Sequence, residues 1–424
     1  MNTDLVKRLL NYDAGQVVRL IITFATRVIA ALGSSVLTFL IAHTSSPSVL
    51  GQFALFISLL GAFSIVSRRG LDFVLIRVIA QNITSGSHIC TLSYLQFALR
   101  KCLWPTLILS IIGSLLLTTT LFGEALPGSG VAFAVALPMF TWLALVSGYF
   151  KGLGLPWVSP FFEIGGVSAA AGIIIASLLI LDWMNSSVNI LVCFIAALGF
   201  VSIVAKLLLT NRTVPEANKR VANKASWSGD LDLMLVALST FLLQSGAFVI
   251  AAPFIDNTQL GLLRAAERLA VIVSFPGVVI NSFIGAQIVH QITKADFLAL
   301  RKTMRLSMLL GGLIAFPPLM VFTFFPEISL TFLGDGYIES APYLRLMAIA
   351  NFVVVIFFPY CMLISLGGLE RSAMKINLAF LGLGLILFPL FAMLFGAIGF
   401  TIVYAIISVT RIFTIFARAS HLGE

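Results

Sequence analysis

The sequence predicts an all-α integral membrane protein, with about twelve transmembrane helices in two six-helix pseudo-symmetric bundles around a central cavity. Composition is the first reason: 59% of the 424 residues are hydrophobic, 10% are charged, and the mean hydropathy is +1.07. Soluble domains contain far more charge. The second reason is the number of long apolar runs, and the third is the way Lys and Arg alternate between the gaps that separate these runs.

Six apolar runs precede the middle of the chain and six follow it. A helix needs about 20 apolar residues to cross the hydrocarbon of a bilayer, so each run is a candidate span. The first six are Val17 to Ile41, Gly51 to Val66, Leu95 to Leu121, Val131 to Phe150, Phe161 to Leu181 and Val188 to Leu209. The last six are Leu231 to Phe254, Leu263 to Val289, Leu306 to Phe324, Tyr343 to Leu366, Ile376 to Leu394 and Ala397 to Phe416. The second run is short, and we expect its helix to begin in the loop after His43 or to continue towards Arg69.

Basic residues occupy every second gap between the runs, and acidic residues occupy the others. Cytoplasmic loops of membrane proteins concentrate Lys and Arg. The alternation therefore predicts a multi-pass protein with an even number of crossings and with both termini in the cytoplasm. The formal net charge of +9 then comes from loops that face anionic lipids, and it is not evidence for nucleic-acid binding.

A polar stretch in the middle of the protein, residues 211–229, predicts a cytoplasmic linker. It would separate an N-terminal six-helix bundle, residues 1–210, from a C-terminal six-helix bundle, residues 230–424. Six crossings return a chain to the side where it began, so the two bundles would share one orientation. Parallel repeats of this kind occur in transporters, where the two halves rock about a central site.

Weak similarity between the halves favours such a repeat. Leu50-Gly51 after the first predicted span matches Leu260-Gly261 after the seventh. Dipeptide matches are common in a chain rich in Leu and Gly, so the equal number of spans in each half strengthens the interpretation.

Six basic residues lie within predicted spans instead of gaps. They are Arg19, Arg27, Arg264, Arg268, Arg345 and Arg411. An Arg at the bilayer centre costs roughly 2.5 to 3.5 kcal/mol on insertion scales, so such residues usually face a bundle interior or a water-filled cavity. Cationic residues in a cavity indicate an anionic cargo, which makes these six the candidates for function.

The first span carries a polar stripe. Arg19, Thr23 and Arg27 recur at every fourth residue and share one face of a helix, with Thr26 near its edge. Arg19 is close enough to the start of the span to extend its side chain to the inner headgroups instead of a cavity. Arg27 is about ten residues inside the apolar run, so we expect it to face the cavity.

The eighth span contains the sequence Arg264-Ala265-Ala266-Glu267-Arg268. Helical spacing places Arg264 and Arg268 on one face, with Glu267 as a neighbour of both. We expect an internal ion pair between Glu267 and one Arg, which leaves one positive charge in excess. The alternative interpretation is a structural Arg-Glu-Arg cluster at the outer interface.

Five neutral polar residues within later spans are expected mainly to hydrogen-bond between helices. They are Gln244, Ser245, Asn281, Asn351 and Asn377.

Other chemistries are not indicated by the sequence. The four His residues are scattered, and Gly152-Leu153-Gly154 lies in a loop with no preceding strand, so neither a metal site nor a nucleotide motif is predicted. The four Cys residues show no paired spacing. We therefore expect no cofactor and no metal, and we expect an ion gradient, the membrane potential or a downstream reaction to supply the energy.

Four stretches carry a family resemblance that extends over essentially the whole chain. They are Leu260 to Leu269, Phe332 to Gly334 with Tyr343 to Asn351, Gly367 to Arg371, and Phe395 to Gly399. In these stretches the chain resembles the polysaccharide transporter family, the Wzx-type O-antigen flippases of the multidrug/oligosaccharidyl-lipid/polysaccharide exporter superfamily. These are loose signatures of a family and not catalytic motifs.

The Ala266-Glu267-Arg268-Leu269 stretch also looks like the Ala-Asp-Arg-Leu of the related lipid II flippases. The matching Arg in those proteins lines a cationic central cavity, which implies the same role for Arg268. Those proteins usually have fourteen spans and an Arg-Asp pair in the first span. Here about twelve spans are predicted and Val28 follows Arg27, so the role of Arg27 rests on its position alone.

The resemblance implies a flippase of the bacterial cell inner membrane, and not an enzyme. It would move an undecaprenyl-diphosphate-linked oligosaccharide, an O-antigen or related unit of lipopolysaccharide, from the cytoplasmic to the periplasmic leaflet. Arg27, Arg264, Arg268 and Arg19 would bind the diphosphate or an anionic sugar. Glu267 would form a cavity ion pair or couple transport to H+ or Na+. Further partners would be membrane lipids and the polysaccharide polymerase and ligase machinery.

Two alternatives remain open at this point. A multidrug and toxin extrusion antiporter for organic cations belongs to the same superfamily, but its cavity should contain acids. A membrane polymerase or ligase acting on the same lipid typically carries a large outer loop with catalytic residues. The longest predicted outer loop, roughly Phe325 to Pro342, is short and contains no Arg, Lys or His.

Overall fold

The computed structural model describes residues 14–84, 91–119, 126–181, 188–210, 231–293, 296–366 and 369–420. Within these ranges every regular element is helical. The helices of the first half are α1 Ala14–Thr44, α2 Pro47–Arg68, α3 Leu71–Thr84, α4 Thr91–Thr118, α5 Ser129–Gly152, α6 Ile164–Ile180 and α7 Val188–Thr210. Those of the second half are α8 Leu231–Gln244, α9 Ala247–Ala251, α10 Asn257–Thr293, α11 Phe297–Phe324, α12 Pro326–Thr331, α13 Ala341–Leu366 and α14 Glu370–Ser420.

The predicted fold class is confirmed: the chain is an all-α, multi-pass membrane protein with a helix at each of the twelve predicted spans. Eight helices of the described part are long and apolar enough to cross a membrane, and the bent pair α8–α9 makes a ninth. The remaining three spans lie in α6, α10 and α14. Helix α6 is short, and the apolar stretch of α10 follows its charged segment Arg264 to Arg268. Helix α14 crosses twice because Gly396 (φ 62°, ψ −147°) turns the chain back within it.

The second span begins and ends where the sequence indicated. Helix α2 starts at Pro47, whose fixed φ and missing N–H suit the first turn of a helix. It ends at Arg68, because Arg69 (φ 50°) and Gly70 (φ 75°) adopt left-handed backbone conformations that turn the chain away.

Helix α3 was not predicted; its residues were assigned to a basic gap between spans. It is amphipathic, and Leu71, Leu75 and Ile79 form its buried stripe at four-residue intervals. This stripe packs against α5, where Gly148 and Gly152 allow the two backbones to approach closely. The reason for the omission is length, since this 14-residue helix is too short to register as a span.

The seventh span is broken, whereas the sequence predicted one helix. The chain bends by 61° between α8 and the segment that follows it. At the bend, the amide of Gly246 donates to the carbonyl oxygen of Phe241 at 2.9 Å, five residues back instead of four. Because this turn is wider than a normal helical turn, α9 does not continue along the axis of α8.

The two bundles meet along α1, α2, α8 and α10. Helix α2 packs against α10 over most of its contact with the second bundle, and it also touches α8 and α9.

Within the C-terminal bundle, Asn351 donates to the carbonyl oxygen of Ala270 at 3.0 Å and joins α13 to α10, which confirms the predicted helix-to-helix role for that residue. The domain boundaries at 210 and 230 stay a prediction, and the linker 211–229 lies outside the described residues.

Candidate functional site

A cavity of about 50 Å³ lies between the two bundles. Helices α1, α2, α6 and α10 form its walls. Its lining residues are Ser34, Leu37, Thr38, Leu50, Phe53, Ala54, Ile57, Ile164, Ser168, Arg264 and Arg268. A space of this size holds a few water molecules or a group comparable to a phosphate. The walls from α2 are apolar, so the polar contacts concentrate on α1, α6 and α10.

Three charged residues of α10 form one cluster, and two of them, Arg264 and Arg268, line this cavity. Arg264 Nη1 lies 2.9 Å from Glu267 Oε2, and Arg268 Nε lies 3.6 Å from the same oxygen. The side chains of Arg264 and Glu267 are 5% and 10% exposed, while that of Arg268 is 21% exposed. Glu267 therefore interacts with both Arg residues, more tightly with Arg264, and the cluster carries one positive charge in excess.

Arg264 is held from two sides within the C-terminal bundle. Its guanidinium carbon lies 5.6 Å from the centroid of the Phe248 ring, a distance at which the ring face attracts a cation. Phe248 belongs to α9, so the break after α8 is what directs this ring towards Arg264. Arg264 is buried inside the protein. The alternative interpretation, a structural Arg-Glu-Arg cluster near the outer interface, stays a prediction.

Arg268 is the member of the cluster that faces the opposite bundle. Its Nη1 lies 3.5 Å from the hydroxyl oxygen of Ser34 on α1, the long limit for a hydrogen bond. Its Nε is buried and has no hydrogen-bond partner among the described residues. Arg268 thus keeps donor capacity for a ligand at the interface between the bundles.

The structure brings together only some of the predicted site residues. Arg264 and Arg268 line the cavity, and Glu267 pairs with both of them without lining it. Arg27 is exposed and is not part of the lining. Seven residues separate Arg27 from Ser34, so both lie on one face of α1, about 10 Å apart along its axis. Arg19 belongs to α1, and its side chain lies outside the described residues.

The last two basic residues within predicted spans lie away from the cavity. Arg345 pairs with Glu327 at 2.9 Å, and both side chains are nearly half exposed. Arg411 is buried in the C-terminal bundle, where its Nη1 donates to Asn377 Oδ1 at 3.2 Å.

Within the described ranges, no group of three His, Cys, Asp or Glu residues lies close enough to hold a metal ion.

Three hydroxyl residues of the cavity were missed by sequence reasoning. Ser34 and Thr38 come from α1, and Ser168 comes from α6. A signal existed for the first two, because they continue the stripe of Thr23 and Arg27 at helical spacing. Ser168 had none, since its position depends on how α6 packs against α1.

Three solved structures are similar to this chain over nearly its whole length. An inward-facing multidrug resistance MATE family transporter of the MOP superfamily gives a TM-score of 0.61 at 12% identity, covering 95% of this chain and 98% of that one. The lipid II flippase MurJ, in an inward closed conformation, gives 0.60 at 13% identity, with coverage of 95% and 87%. An outward-facing MATE family transporter gives 0.52 at 13% identity, with coverage of 96% and 95%.

The chain has the fold of the MOP superfamily transporters. No family model matches the sequence, and no curated protein matches it. Sequence identities this low establish the fold and not the transported substrate. The substrate class is therefore inferred from the residues at the cavity. A MOP fold with two Arg residues and one Glu at the interface between its bundles presents an excess of hydrogen-bond donors and of positive charge.

Proposed function

We propose that this protein is an alternating-access flippase for an anionic lipid-linked substrate, specifically an undecaprenyl-diphosphate-linked oligosaccharide. It would work in the bacterial cell inner membrane, with both termini in the cytoplasm, and move the substrate from the cytoplasmic to the periplasmic leaflet. The observation that carries the proposal is the charge of the cavity: two guanidinium groups meet one carboxylate between the bundles of a MOP fold.

The two Arg residues have different tasks in this proposal. Arg264 is buried and bonded to Glu267, so it mainly holds that carboxylate in place. Arg268 is more exposed and faces α1, so it would contact the diphosphate. A guanidinium offers pairs of parallel N–H donors that match phosphate oxygens, and such charge-assisted hydrogen bonds are among the strongest in proteins.

The size of the cavity is consistent with a resting conformation. About 50 Å³ is room for a phosphate-sized group and not for several sugars. The sugars would enter when α1 and α10 separate, while the polyprenyl tail stays in the lipid. Separation there requires breaking the Arg268–Ser34 contact, which is long and therefore weak. The better match to an inward-facing than to an outward-facing MATE structure supports a conformation closed on the outer side.

The membrane potential is a sufficient energy source for an anionic substrate. With the cell interior negative, each negative charge carried outward gains about 2.3 kcal/mol per 100 mV. Glu267 is the proposed coupling group if H+ or Na+ enters in exchange, because it is the carboxylate that pairs with both Arg residues of the cavity lining. Arg27 and Arg19 would attract the diphosphate to the entrance along the polar stripe of α1.

A cation antiporter of the MATE type is the second candidate, favoured by the fold alone. The cavity disfavours it, because an organic cation would meet a net positive charge with its one carboxylate already paired to two Arg residues. Like charges in a poorly hydrated site repel strongly.

Transport in proteoliposomes tests the proposal. Purified protein would be reconstituted with a fluorescent undecaprenyl-diphosphate-linked oligosaccharide, with and without an imposed potential. We expect potential-stimulated translocation by the wild type, a loss of at least tenfold in Arg268→Gln, and a smaller loss in Arg27→Gln. Arg345→Gln is the matched control, since Arg345 lies outside the cavity and should leave the rate unchanged.

The opposite pattern would reject the flippase. If folded wild-type protein moves no lipid-linked substrate but exchanges an organic cation for H+ or Na+, the antiporter is correct. Equal losses in Arg268→Gln and Arg345→Gln would show that the cavity charge has no specific role.

A further inference from the structure

A second buried cation lies in the C-terminal bundle, apart from the cavity. Arg411 occupies the last span, within α14, and only 8% of the residue is exposed. Nine residues separate it from the end of the helix at Ser420, which corresponds to about 14 Å along the axis. Neither Arg411 nor its hydrogen-bond partner lines the cavity between the bundles, so this group is not part of the site described above.

The partners of Arg411 are neutral. Its Nη1 donates to Asn377 Oδ1 at 3.2 Å, and Asn377 Nδ2 donates in turn to Thr240 Oγ1 at 3.1 Å. These two hydrogen bonds therefore connect both spans of α14 to α8. A guanidinium has five N–H donors, and a hydroxyl that accepts one bond still has a proton to donate. Among the described residues, only Asn377 accepts from Arg411.

No carboxylate of the described residues pairs with Arg411. Ion pairs in that part of the chain are formed by other basic residues, among them Arg68, Lys151, Arg264, Arg268 and Arg345. Glu267, the carboxylate of the cavity, is already engaged by Arg264 and Arg268. A buried charge without a counter-charge costs several kcal/mol, and the Arg side chain cannot escape the cost by releasing its proton.

We propose that Arg411 binds one small monovalent anion, of the size of chloride, inside the C-terminal bundle. The donors available there are guanidinium N–H groups and the Thr240 hydroxyl, and both types prefer an anion. Asn377 orients the guanidinium by accepting one of its bonds, which leaves the other donors for the ion. The anion would supply the counter-charge that no described carboxylate provides, and it is separate from the transported substrate because the site is outside the cavity.

Direct halide binding tests this site without any measurement of transport. The purified full-length protein in chloride-free gluconate buffer would be titrated with radioactive chloride in a scintillation proximity assay. We expect saturable binding of one ion per chain in the wild type. Arg411→Gln should weaken binding at least tenfold. Asn377→Asp should do the same, because its carboxylate would provide a built-in counter-charge next to the guanidinium.

Arg268→Gln is the control that separates the two cationic sites, and it should keep the chloride stoichiometry of the wild type. Binding that survives either Arg411→Gln or Asn377→Asp would overturn the proposal, as would a wild type without saturable binding. Loss in Arg268→Gln would also overturn it, by moving the ion to the cavity. If Arg411→Gln does not elute as folded protein, Asn377→Asp decides alone, since it keeps the cation and gives it a partner.

Discussion

Gly51 of α2 and Gly261 of α10 pack backbone against backbone where the two bundles meet. A Cβ atom added to Gly51 would lie 2.8 Å from the amide nitrogen of Gly261 and would overlap the carbonyl oxygen of Asn257. A Cβ atom added to Gly261 would overlap the carbonyl oxygen of Pro47. Each glycine thus meets the residue four positions before the other, which is a two-fold relationship between the halves. The contact lies at the N-terminal ends of both helices, on the predicted outer side.

Alanine at either of these glycines should therefore open the outer side. The methyl group has no room, because the atoms that it meets belong to a helix backbone and not to a flexible side chain. We expect Gly261→Ala to increase the reaction of a cysteine introduced at Ser46 with an impermeant maleimide severalfold, in protein whose native cysteines are replaced by alanine. The same substitution at Gly51 should act alike.

Gly382→Ala is the matched control for that experiment. Gly382 also lies within a span, but a Cβ atom there would meet no heavy atom within 4 Å. Alanine is the better helix former by about 1 kcal/mol, so this variant should be at least as stable as the wild type and equally closed. Equal labelling of Gly261→Ala and Gly382→Ala would show that the glycine contact does not keep the outer side closed.

The two Arg residues of the cavity should differ in their effect on stability. Arg264→Gln breaks a pair whose side chains are 5% and 10% exposed, so we expect a loss of about 3 to 5 kcal/mol in the free energy of unfolding. Arg268→Gln removes a longer and more exposed contact, for which about 1 kcal/mol or less is expected. Thermal unfolding of both variants measures the difference. Equal losses would contradict the assignment of Arg264 to structure and of Arg268 to the substrate.

Glu267→Gln should destabilise the protein more than Arg268→Gln does. The substitution keeps the shape of the side chain but leaves two guanidinium groups near each other without a counter-charge, and Arg264 among them is buried. Removing one partner of a buried pair is strongly unfavourable. Replacing Arg264 by Met in the same chain should recover part of the loss. No recovery in the Glu267→Gln, Arg264→Met double variant would show that the repulsion of Arg264 is not the cause.

The Arg345–Glu327 pair should contribute little. Its side chains are 44% and 48% exposed, and surface ion pairs of this kind are worth about 0 to 1 kcal/mol. Arg345→Gln should shift the unfolding temperature by no more than about 2 °C. Raising the salt concentration should reduce the difference further, because salt screens exposed charges. A large, salt-independent loss would place Arg345 in a structural role.

The close packing of α3 on α5 should depend on Gly152. A Cβ atom there would lie 2.9 Å from Cβ of Ile79, so a larger side chain has to displace α3. We expect Gly152→Val to cost about 1 to 3 kcal/mol, as overpacked cores do. A disulfide between cysteines introduced at Asp72 and Gly148, whose Cβ atoms would lie 3.5 Å apart, should form less readily in this variant. Gly199→Val is the control, because a Cβ atom at Gly199 meets nothing within 4 Å.

Local features of the site were predictable because they depend on the geometry of one helix. Arg264, Glu267 and Arg268 are close in sequence, and 3.6 residues per turn brings their side chains together in any α-helix. The repeat signal at Gly51 and Gly261 was also visible, but the contact between the two glycines was not. Phe248 could not be placed, since it reaches Arg264 only through the break in the seventh span.

The sequence by itself determined the membrane class, the twelve spans and the excess of positive charge in α10. Apolar length and local spacing are sufficient for these, because lipid accepts only segments that satisfy their own backbone hydrogen bonds. The tertiary structure decided which face of each helix meets another. It joined Arg268 to Ser34 and Arg411 to Asn377, and it left Arg27 outside the cavity. Helix rotation and crossing depend on side-chain packing between segments that are distant in sequence, and no local pattern records that packing.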